Sequence, residues 1–257
     1  MSTKQRLWIR EEYILAFNLY LKIEFGKTHT GNPKIIELAE LIGRTPASIV
    51  MRLGNFASID PYHQNRGVGG LKNAGVQTQL IWDEFFNNQE ELVFLSEQIL
   101  AEKEHQTIEQ KYNDVLWDLK DLKGETKIRA IKTRVNQSFF RQMVLTNYKS
   151  KCGLTGIDVP DLLFASHIKP WATDEKERLN PENGICLSAL YDRAFDKGYL
   201  AFDDNYKVLI SQSLKSNIDK EYYPKYFAPI ENKSLPREIK YPPKKEFLEF
   251  HRDVIFK

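Results

Sequence analysis

One histidine of this sequence lies where acid–base chemistry could occur. His167 is part of the stretch LLFASHIKPW, residues 162–171, and follows an apolar run. The run predicts a short strand over 162–168, which Pro170 ends because proline lacks a backbone donor and restricts the residue before it. Histidine titrates near neutral pH, so its place at a strand end makes it a candidate general base. A buried structural histidine is the alternative interpretation.

Two carboxylates form a second candidate group. Asp192 and Asp196 are four residues apart on one face of a helix predicted over 189–197, between a capping serine and a terminating glycine. Like charges at this spacing repel each other, and Asp196 also lies at the negative end of the helix dipole. A hard divalent cation between the carboxylates, Mg²⁺ or Mn²⁺, would remove both penalties. Neutralisation by Arg193 is the alternative.

The elements that carry these residues form one ββα unit: a strand, a polar loop, a second strand over 184–187 and the helix. Its segments ASHIKPW, NPENGICLSAL and YDRAFDKG resemble the HNH, or ββα-metal, nuclease family, and the resemblance extends over about 134–211. It implies an α+β fold with a nuclease domain in the C-terminal half. It also implies one divalent ion per site, and products with 5′-phosphate and 3′-hydroxyl ends.

The resemblance assigns a role to each candidate residue. His167 matches the catalytic histidine, which takes a proton from the attacking water, and Asn183 matches an asparagine that holds the loop or orients the histidine ring. Asp192 matches the metal ligand of the helix, and Asp196 is a second candidate ligand one turn further on. Many relatives have Asp or His before the catalytic histidine. This chain has Ser166, a weak neutral ligand that contributes through water or does not contribute.

Cysteine usage and hydropathy exclude several classes of protein. Cys152 and Cys186 are the only two cysteines and neither belongs to a C-x-x-C pair, so we expect neither a disulfide framework nor a structural zinc. No window approaches the roughly 18 consecutive apolar residues of a membrane span. The expectation is a cytoplasmic protein without a membrane partner. The net charge of +2 averages over segments of opposite sign.

The N-terminal part predicts mainly helices, and residues 35–56 read as helix, turn, helix. Gly43 stops the first helix, Thr45 is a plausible N-cap and Pro46 fits the first helical position of the second. Helix-turn-helix proteins use the exposed residues of the second helix to contact DNA. Plain helix packing gives the same apolar pattern. The candidate DNA-binding residues here are Arg44, Thr45, Ser48 and Arg52.

Residues 81–122 predict further helices, with apolar residues at intervals of three and four that Glu102 and Gln106 interrupt. This segment is either a short dimerising coiled coil, which would make a homodimer, or two helices that pack on the preceding ones. The resulting domain division is 1–86 for a helical DNA-recognition domain, 87–123 for a helical linker or dimerisation segment and 124–257 for the nuclease domain.

The combined prediction is a metal-dependent endonuclease that cleaves double-stranded DNA, in the manner of a restriction or defence enzyme, and that reads modified bases in one version of the hypothesis. Lys169 and Arg193 flank the predicted site and either bind phosphates or serve solubility. Two alternatives stay open. One is a homing-type nicking endonuclease, and the other is a DNA-binding regulator with a degenerate HNH fold, for which Ser166 would be the sign.

Overall fold

A computed structural model describes residues 6–67, 75–112 and 122–257 of the chain. The chain divides into two compact units, Met1–Phe139 and Phe140–Lys257. This division differs from the boundaries predicted at 86 and 123, which stay a prediction for the functional domains. Among the described residues, no helix is both long and apolar enough to cross a membrane.

The first unit is helical. Its helices are α1 (Arg10–Leu21), α2 (Pro33–Leu41), α3 (Pro46–Ile59), α4 (Pro61–Asn65), α5 (Val76–Phe85), α6 (Gln89–Lys103) and α7 (Ile108–Lys111), with a 3₁₀ turn at Phe25–Lys27. Helix α1 packs on α3, α5 and α6. Buried aromatic rings form the centre of this core, and the ring of Phe17 lies 4.7 Å from that of Phe56 and 5.2 Å from that of Trp82.

Helices α2 and α3 confirm the predicted pair of helices joined by a short turn. The Thr45 hydroxyl accepts a hydrogen bond from the backbone N–H of Ser48 at 3.2 Å, which is the N-cap expected from the sequence. Gly43 has a φ of 64°, a left-handed conformation that ends α2 without the strain another residue would suffer. Recognition of DNA by this pair stays a prediction.

Two arginines of this pair do not project from the helices as we expected. The Arg44 side chain is only 5% exposed and contacts Glu12 at 2.6 Å, while its guanidinium stacks over Trp8. Burial acts to raise the pKa of Glu12, but Arg44, the Ile9 N–H and Arg6 outweigh it and hold that pKa below its usual value. A buried carboxylate needs such a partner, so Arg44 serves the core of the first unit.

Arg52 is held in a similar way. Its guanidinium lies 4.2 Å from the Tyr13 ring centre and 4.6 Å from the Trp8 ring centre, and Nη1 donates to the Thr78 hydroxyl at 2.9 Å. These contacts stabilise α3 against α1 and α5 through cation–π and hydrogen-bond interactions. The exposed surface of α3 is provided instead by Ala47 and by Met51, which is 59% exposed.

The helices predicted as a separate linker pack on the rest of the first unit. Asn18 on α1 donates to the Ser96 hydroxyl on α6 at 2.7 Å, and both residues are buried. Leu92 and Ile99 are also buried. These contacts favour the packing alternative for α6 over the coiled-coil alternative. Val115 and Leu119, on which the predicted register also depends, lie outside the described residues.

The second unit combines short strands with helices. Helix α8 (Gly124–Asn147) leads into it, and β1 (Leu163–His167), β2 (Gly184–Ser188) and α9 (Ala189–Asp196) confirm the predicted ββα order. A hairpin of β3 (Leu200–Phe202) and β4 (Val208–Ile210) follows, then α10 (Gln212–Lys215) and α11 (Lys245–Val254). The remaining short turns are Pro160–Leu162, Pro181–Asn183, Tyr223–Phe227 and Ala228–Ile230.

The turn at Cys152 ties the start of this unit to α9. Its sulfur accepts the backbone N–H of Ser188 at 3.3 Å. Burial acts to raise the pKa of the Cys152 thiol, but hydrogen bonds from Thr155, Leu154 and Ser188 outweigh it and lower that pKa. Both cysteines, Cys152 and Cys186, are free and buried.

Helix α9 ends against the C-terminal helix α11. Gly198 has a φ of 73°, and a side chain there would overlap the backbone of Ile255. The His251 ring stacks on Phe195 at 3.8 Å, and its Nε2–H donates to the Phe195 carbonyl at 3.1 Å. Within the described part of the chain, the buried Nδ1 of His251 has no hydrogen-bond partner. Burial lowers the pKa of His251 to about 4, so this residue folds in its neutral form.

We therefore expect His251 to contribute to acid unfolding. Because its pKa is lower in the folded state than in the unfolded chain, the unfolded state binds the proton first, and stability falls as the pH drops from about 6.5 to about 4. His251→Phe keeps the stacked ring but cannot titrate. Its free energy of unfolding should vary less over this interval, by about 3 kcal/mol.

Urea unfolding at several pH values measures this difference. His29→Ala removes an exposed histidine and is the matched control, which should keep the pH dependence of the wild type. An unchanged pH dependence in His251→Phe would refute the assignment.

Candidate active site

The ββα unit places consecutive residues of β1 against two different helices. Strands β1 and β2 are antiparallel, with Ser166 opposite Ile185 and His167 opposite Gly184. Successive side chains of a strand point to opposite faces. Ser166 accordingly reaches α9, and His167 reaches α8.

Ser166 and Asp192 are in direct contact. The Ser166 hydroxyl donates to Asp192 Oδ1 at 2.6 Å. Burial raises the pKa of Asp192 above its usual value and Asp196 adds to this effect, while the Ser166 hydrogen bond and Arg193 oppose it. A half-buried carboxylate of this kind gains from a cation beside it.

Asp196 lies nearer to solvent. Its side chain is 63% exposed, and Arg193 Nη1 lies 3.7 Å from its Oδ2. Arg193 is therefore close enough to neutralise Asp196, which is the alternative noted for this carboxylate. The structure joins Ser166 to Asp192 directly but assigns Asp196 to the exposed end of α9.

His167 is fixed by three contacts. Its ring stacks on Phe140 at 3.7 Å and meets the Trp171 ring edge-on at 5.4 Å, and Nε2 lies 3.0 Å from the Arg178 carbonyl. A carbonyl oxygen only accepts, so Nε2 carries the proton and Nδ1 is the basic nitrogen. Burial lowers the pKa of His167 below its usual value, outweighing the effect of the Arg178 carbonyl, and so favours the neutral ring.

A glycine makes room for the ring that stacks on His167. Gly184 lies opposite His167 in the β1–β2 pair. A Cβ at this position would overlap Val144 and would come within 2.8 Å of the Phe140 ring. Only the absence of a side chain lets α8 approach the strands here. The glycine of the ENGICL segment thus sets the position of Phe140 over the histidine.

Asn183 holds the loop between the two strands. Its Oδ1 accepts the backbone N–H of Lys169 at 2.8 Å, and its Nδ2 donates to the carbonyls of Lys169 and Glu177, each at 3.2 Å. The side chain is buried with donors and acceptor satisfied. Two roles were expected for Asn183: holding the loop or orienting the His167 ring. Its bonds hold the loop, whereas the Arg178 carbonyl orients the His167 ring.

The two cations predicted to flank the site differ in availability. Lys169 Nζ pairs with Asp174 at 3.1 Å and lies over the rings of Phe247 and Phe250, at 5.3 and 5.4 Å. The hydrogen bond from Lys169 lowers the pKa of Asp174 below its usual value. Together with the two rings, this bond holds the ammonium inside the unit, contrary to its expected exposed position. The Arg193 side chain is 70% exposed.

Two residues of the site were not singled out by sequence reasoning. Arg178 supplies the carbonyl that orients His167, and Trp171, interpreted as core, borders the ring. The connection that carries them, residues 168–183, has no periodicity to indicate which residue turns inward. The only available signal was the position of the tryptophan four residues after the histidine.

Comparison with known families and proteins bears on this unit. A family model described as HNH endonuclease matches residues 152–203. This stretch contains β1, β2, α9 and the residues described above around Asp192 and His167, except Phe140 and Val144 of α8. These residues form an HNH domain. Comparison with curated proteins gives no match.

The family confirms the resemblance noted in the sequence and the α+β class of the C-terminal half. HNH domains are nuclease domains that act on DNA, and nucleases of this family generally use a divalent metal ion. Within residues 6–67, 75–112 and 122–257, no three His, Cys, Asp or Glu side chains are grouped closely enough to hold a metal ion. The donors in contact are one carboxylate and one hydroxyl.

These donors fit a hard cation that keeps much of its own hydration shell. Mg²⁺ typically binds through one or two carboxylates and completes its shell with water and phosphate oxygens. Asp192 provides the carboxylate, and Ser166 Oγ lies beside it at hydrogen-bond distance. A phosphate of DNA would supply the remaining charge. The HNH domain therefore fits a metal bound jointly by protein and DNA.

We expect metal affinity to depend on Asp192 and on DNA. Binding of Mn²⁺, followed by electron paramagnetic resonance, should be weak without DNA and at least about tenfold tighter with an uncleavable phosphorothioate duplex, because the phosphate adds ligand charge. Asp192→Asn should remove the DNA-dependent binding. Asp196→Asn should lower it by less than about threefold, because this carboxylate is exposed and beside Arg193.

Ser166→Asp provides the converse experiment. It adds a carboxylate next to Asp192, and Mn²⁺ should then bind without DNA. Equal affinity in the wild type and in Asp192→Asn would contradict the assignment of the metal to this pair.

Proposed function

We propose that the protein is a metal-dependent endonuclease that hydrolyses phosphodiester bonds of double-stranded DNA. The observation that carries the proposal is the position of His167 within the HNH domain, where the residue is only partly buried at the end of β1 and Nε2 lies 3.0 Å from the Arg178 carbonyl. The Arg178 carbonyl binds Nε2–H and leaves Nδ1 unprotonated. A neutral imidazole with one oriented basic nitrogen can accept a proton from water, which is the task of a general base.

The residues of the domain divide the work of hydrolysis. His167 Nδ1 takes the proton of the attacking water, while Phe140 keeps the ring from rotating. Asn183 keeps the loop closed beside the ring through its bonds to Lys169 and Glu177. Ser166 and Asp192 would hold Mg²⁺ or Mn²⁺, which when bound stabilises the charge that develops on the phosphate oxygens.

Exposed cations would position the substrate. Arg193 extends from α9, one residue after Asp192, and its side chain is 70% exposed. An exposed guanidinium on this helix can contact the phosphate backbone without losing an internal bond other than its surface pair with Asp196. Lys169 is less available, because Asp174 already holds its ammonium.

We expect His167 to be required for cleavage. Supercoiled plasmid and modified phage DNA would be incubated with Mg²⁺ or Mn²⁺, and His167→Ala should lower the cleavage rate by about 10²- to 10⁴-fold, the usual contribution of a general base. His167→Gln keeps a donor for the Arg178 carbonyl but has no basic nitrogen, so it should be equally inactive. Gel electrophoresis measures the products.

Folding controls separate loss of chemistry from loss of structure. The circular dichroism spectrum and thermal unfolding of His167→Gln should match those of the wild type. His29→Ala, at an exposed histidine of the first unit, should keep full activity. Undiminished cleavage by both His167 variants would contradict the proposal.

A restriction or defence role is part of the proposal, with the first unit as the reader of DNA. Support comes from α2 and α3, two capped helices joined by a short turn, whose surface includes Ala47, Thr45 and Met51. Ser48 is partly exposed on the same turn. Arg44 and Arg52 are bound within the unit, so recognition would depend on shape and on neutral side chains more than on these arginines.

A palindromic site would require a homodimer, since one metal site cuts one strand.

Two other functions give different experimental results. A homing-type nicking enzyme working as a monomer would convert supercoiled plasmid to the open circle without producing linear product. A DNA-binding regulator with a degenerate domain would bind DNA but cleave no substrate with either metal. The contact between Ser166 and Asp192 supports the proposal of an active site, because it brings together a hydroxyl and a carboxylate at the two positions where the sequence resemblance predicts metal ligands.

We expect a negative charge at the start of α3 to weaken DNA binding. Ala47 is exposed in the first turn of this helix, and Ala47→Glu would place a carboxylate where phosphates approach. Like charges across an interface repel, so affinity should fall by about tenfold or more. Gln77→Glu adds the same charge at an exposed site on α5 and is the matched control. Gel mobility shift measures both, and equal affinities would contradict the reading role.

A further inference from the structure

The loop between β1 and β2 lies against the ring of His167. It is closed at its base by Asn183, and its middle part brings Trp171 and Arg178 to the histidine. Arg178 contributes twice, through its carbonyl to His167 and through its side chain to the loop itself. This double role raises the question of what the side chain does for the site.

The Arg178 side chain fastens Trp171. Its Nε donates to the Trp171 carbonyl at 2.8 Å, and the guanidinium carbon lies 5.4 Å from the centre of the indole ring. Nη2 also pairs with Glu175 at 3.1 Å, but the Glu175 side chain is 81% exposed. An exposed ion pair contributes little, so the contacts to Trp171 are the stronger ones.

The contacts form a closed circuit of three residues. His167 donates through Nε2–H to the Arg178 carbonyl, the Arg178 side chain binds Trp171, and the Trp171 ring meets the His167 ring edge-on at 89°. Each residue is thereby held by the other two. A shift of Arg178 would move the carbonyl acceptor and the tryptophan ring together.

We propose that Arg178 is a positioning residue whose side chain, through Trp171 and its own carbonyl, fixes His167 with Nδ1 as its basic nitrogen. The catalytic part of this inference rests on the proposed nuclease function. The structural part does not, because the tautomer of a histidine is measurable in a protein without activity. A planar guanidinium suits the role, because the N–H groups at its edge can bind a carbonyl while its planar face contacts an aromatic ring.

Phosphate binding is the competing role for an arginine of a nuclease. The Arg178 side chain is 23% exposed and is already bonded to Trp171 and Glu175. Arg193, by comparison, is 70% exposed. The internal contacts favour positioning. The two roles predict different behaviour for a lysine at 178, which keeps the charge but lacks the planar fork.

Nitrogen-15 NMR of the imidazole side chains tests the structural part. The chain has five histidines, and the His167 signals are identified by their loss in His167→Gln. We expect the wild type to show the Nε2–H tautomer, and both Arg178→Ala and Arg178→Lys to show an increased share of the Nδ1–H tautomer. Lys176→Ala removes an exposed cation of the same loop and should leave the tautomer unchanged.

Steady-state kinetics tests the catalytic part. In both Arg178 variants kcat should fall by about tenfold or more with KM nearly unchanged, because small misplacement of a catalytic group costs rate rather than binding. Lys176→Ala should match the wild type. A raised KM in Arg178→Ala that Arg178→Lys restores would show phosphate binding and overturn the inference.

An unchanged His167 tautomer in both Arg178 variants would also overturn it. Thermal unfolding identifies any variant that fails to fold. If Arg178→Ala does not fold, Arg178→Lys, which keeps the aliphatic part of the side chain, still tests the inference. If the wild type cleaves no substrate, the proposed function fails, while the NMR result still decides whether Arg178 positions the ring.

Discussion

The site depends on one buried amide. Asn183 binds the backbone at Lys169, just after β1, and at Glu177 in the loop, so a single side chain closes the connection between the two strands. A buried amide that makes all these bonds is rigid, whereas one left unpaired would be costly. With the loop closed, the Arg178 carbonyl lies within 3.0 Å of His167 Nε2. The orientation of the proposed base therefore depends on a hydrogen-bond network to which His167 contributes only its bond to the Arg178 carbonyl.

Two histidines of the second unit show that local packing alone does not identify a catalytic residue. His251 and His167 each stack on a phenylalanine, at 3.8 and 3.7 Å, and each donates Nε2–H to a backbone carbonyl. The difference lies in the second nitrogen. His251 Nδ1 is buried, and the residue is 1% exposed, whereas His167 is only partly buried at the end of β1. The exposure of the residue, rather than the stacking or the tautomer, distinguishes the two.

The sequence predicted those features that local rules determine. Periodicity and turn residues located α3, β1, β2 and α9, and the motif order located the HNH domain. Ser188 lies at the predicted N-cap position of α9, but its side chain makes no capping hydrogen bond and contacts the Cys152 sulfur instead. Long-range charge pairing was beyond such rules. Arg44 belongs to a carboxylate 32 positions earlier, Glu12, and no local pattern connects the two. Asp196 stays a candidate ligand, and its ion-pair partner, Arg193, is a neighbour on the same helix that would compete with a metal.

The serine before the histidine is best understood through charge. A second carboxylate at this position would lie beside Asp192, whose Oδ1 is 2.6 Å from the Ser166 hydroxyl. Two like charges in a half-buried site raise each other's pKa and weaken folding without a cation. Ser166 avoids this penalty, because its hydroxyl donates to Asp192 and stabilises the ionised form. The same choice leaves the site with a single full negative charge from the pair. In the proposed site, a divalent cation would be incompletely neutralised by the protein, and an anionic phosphate of DNA would complete its charge, so that metal and substrate binding would be interdependent.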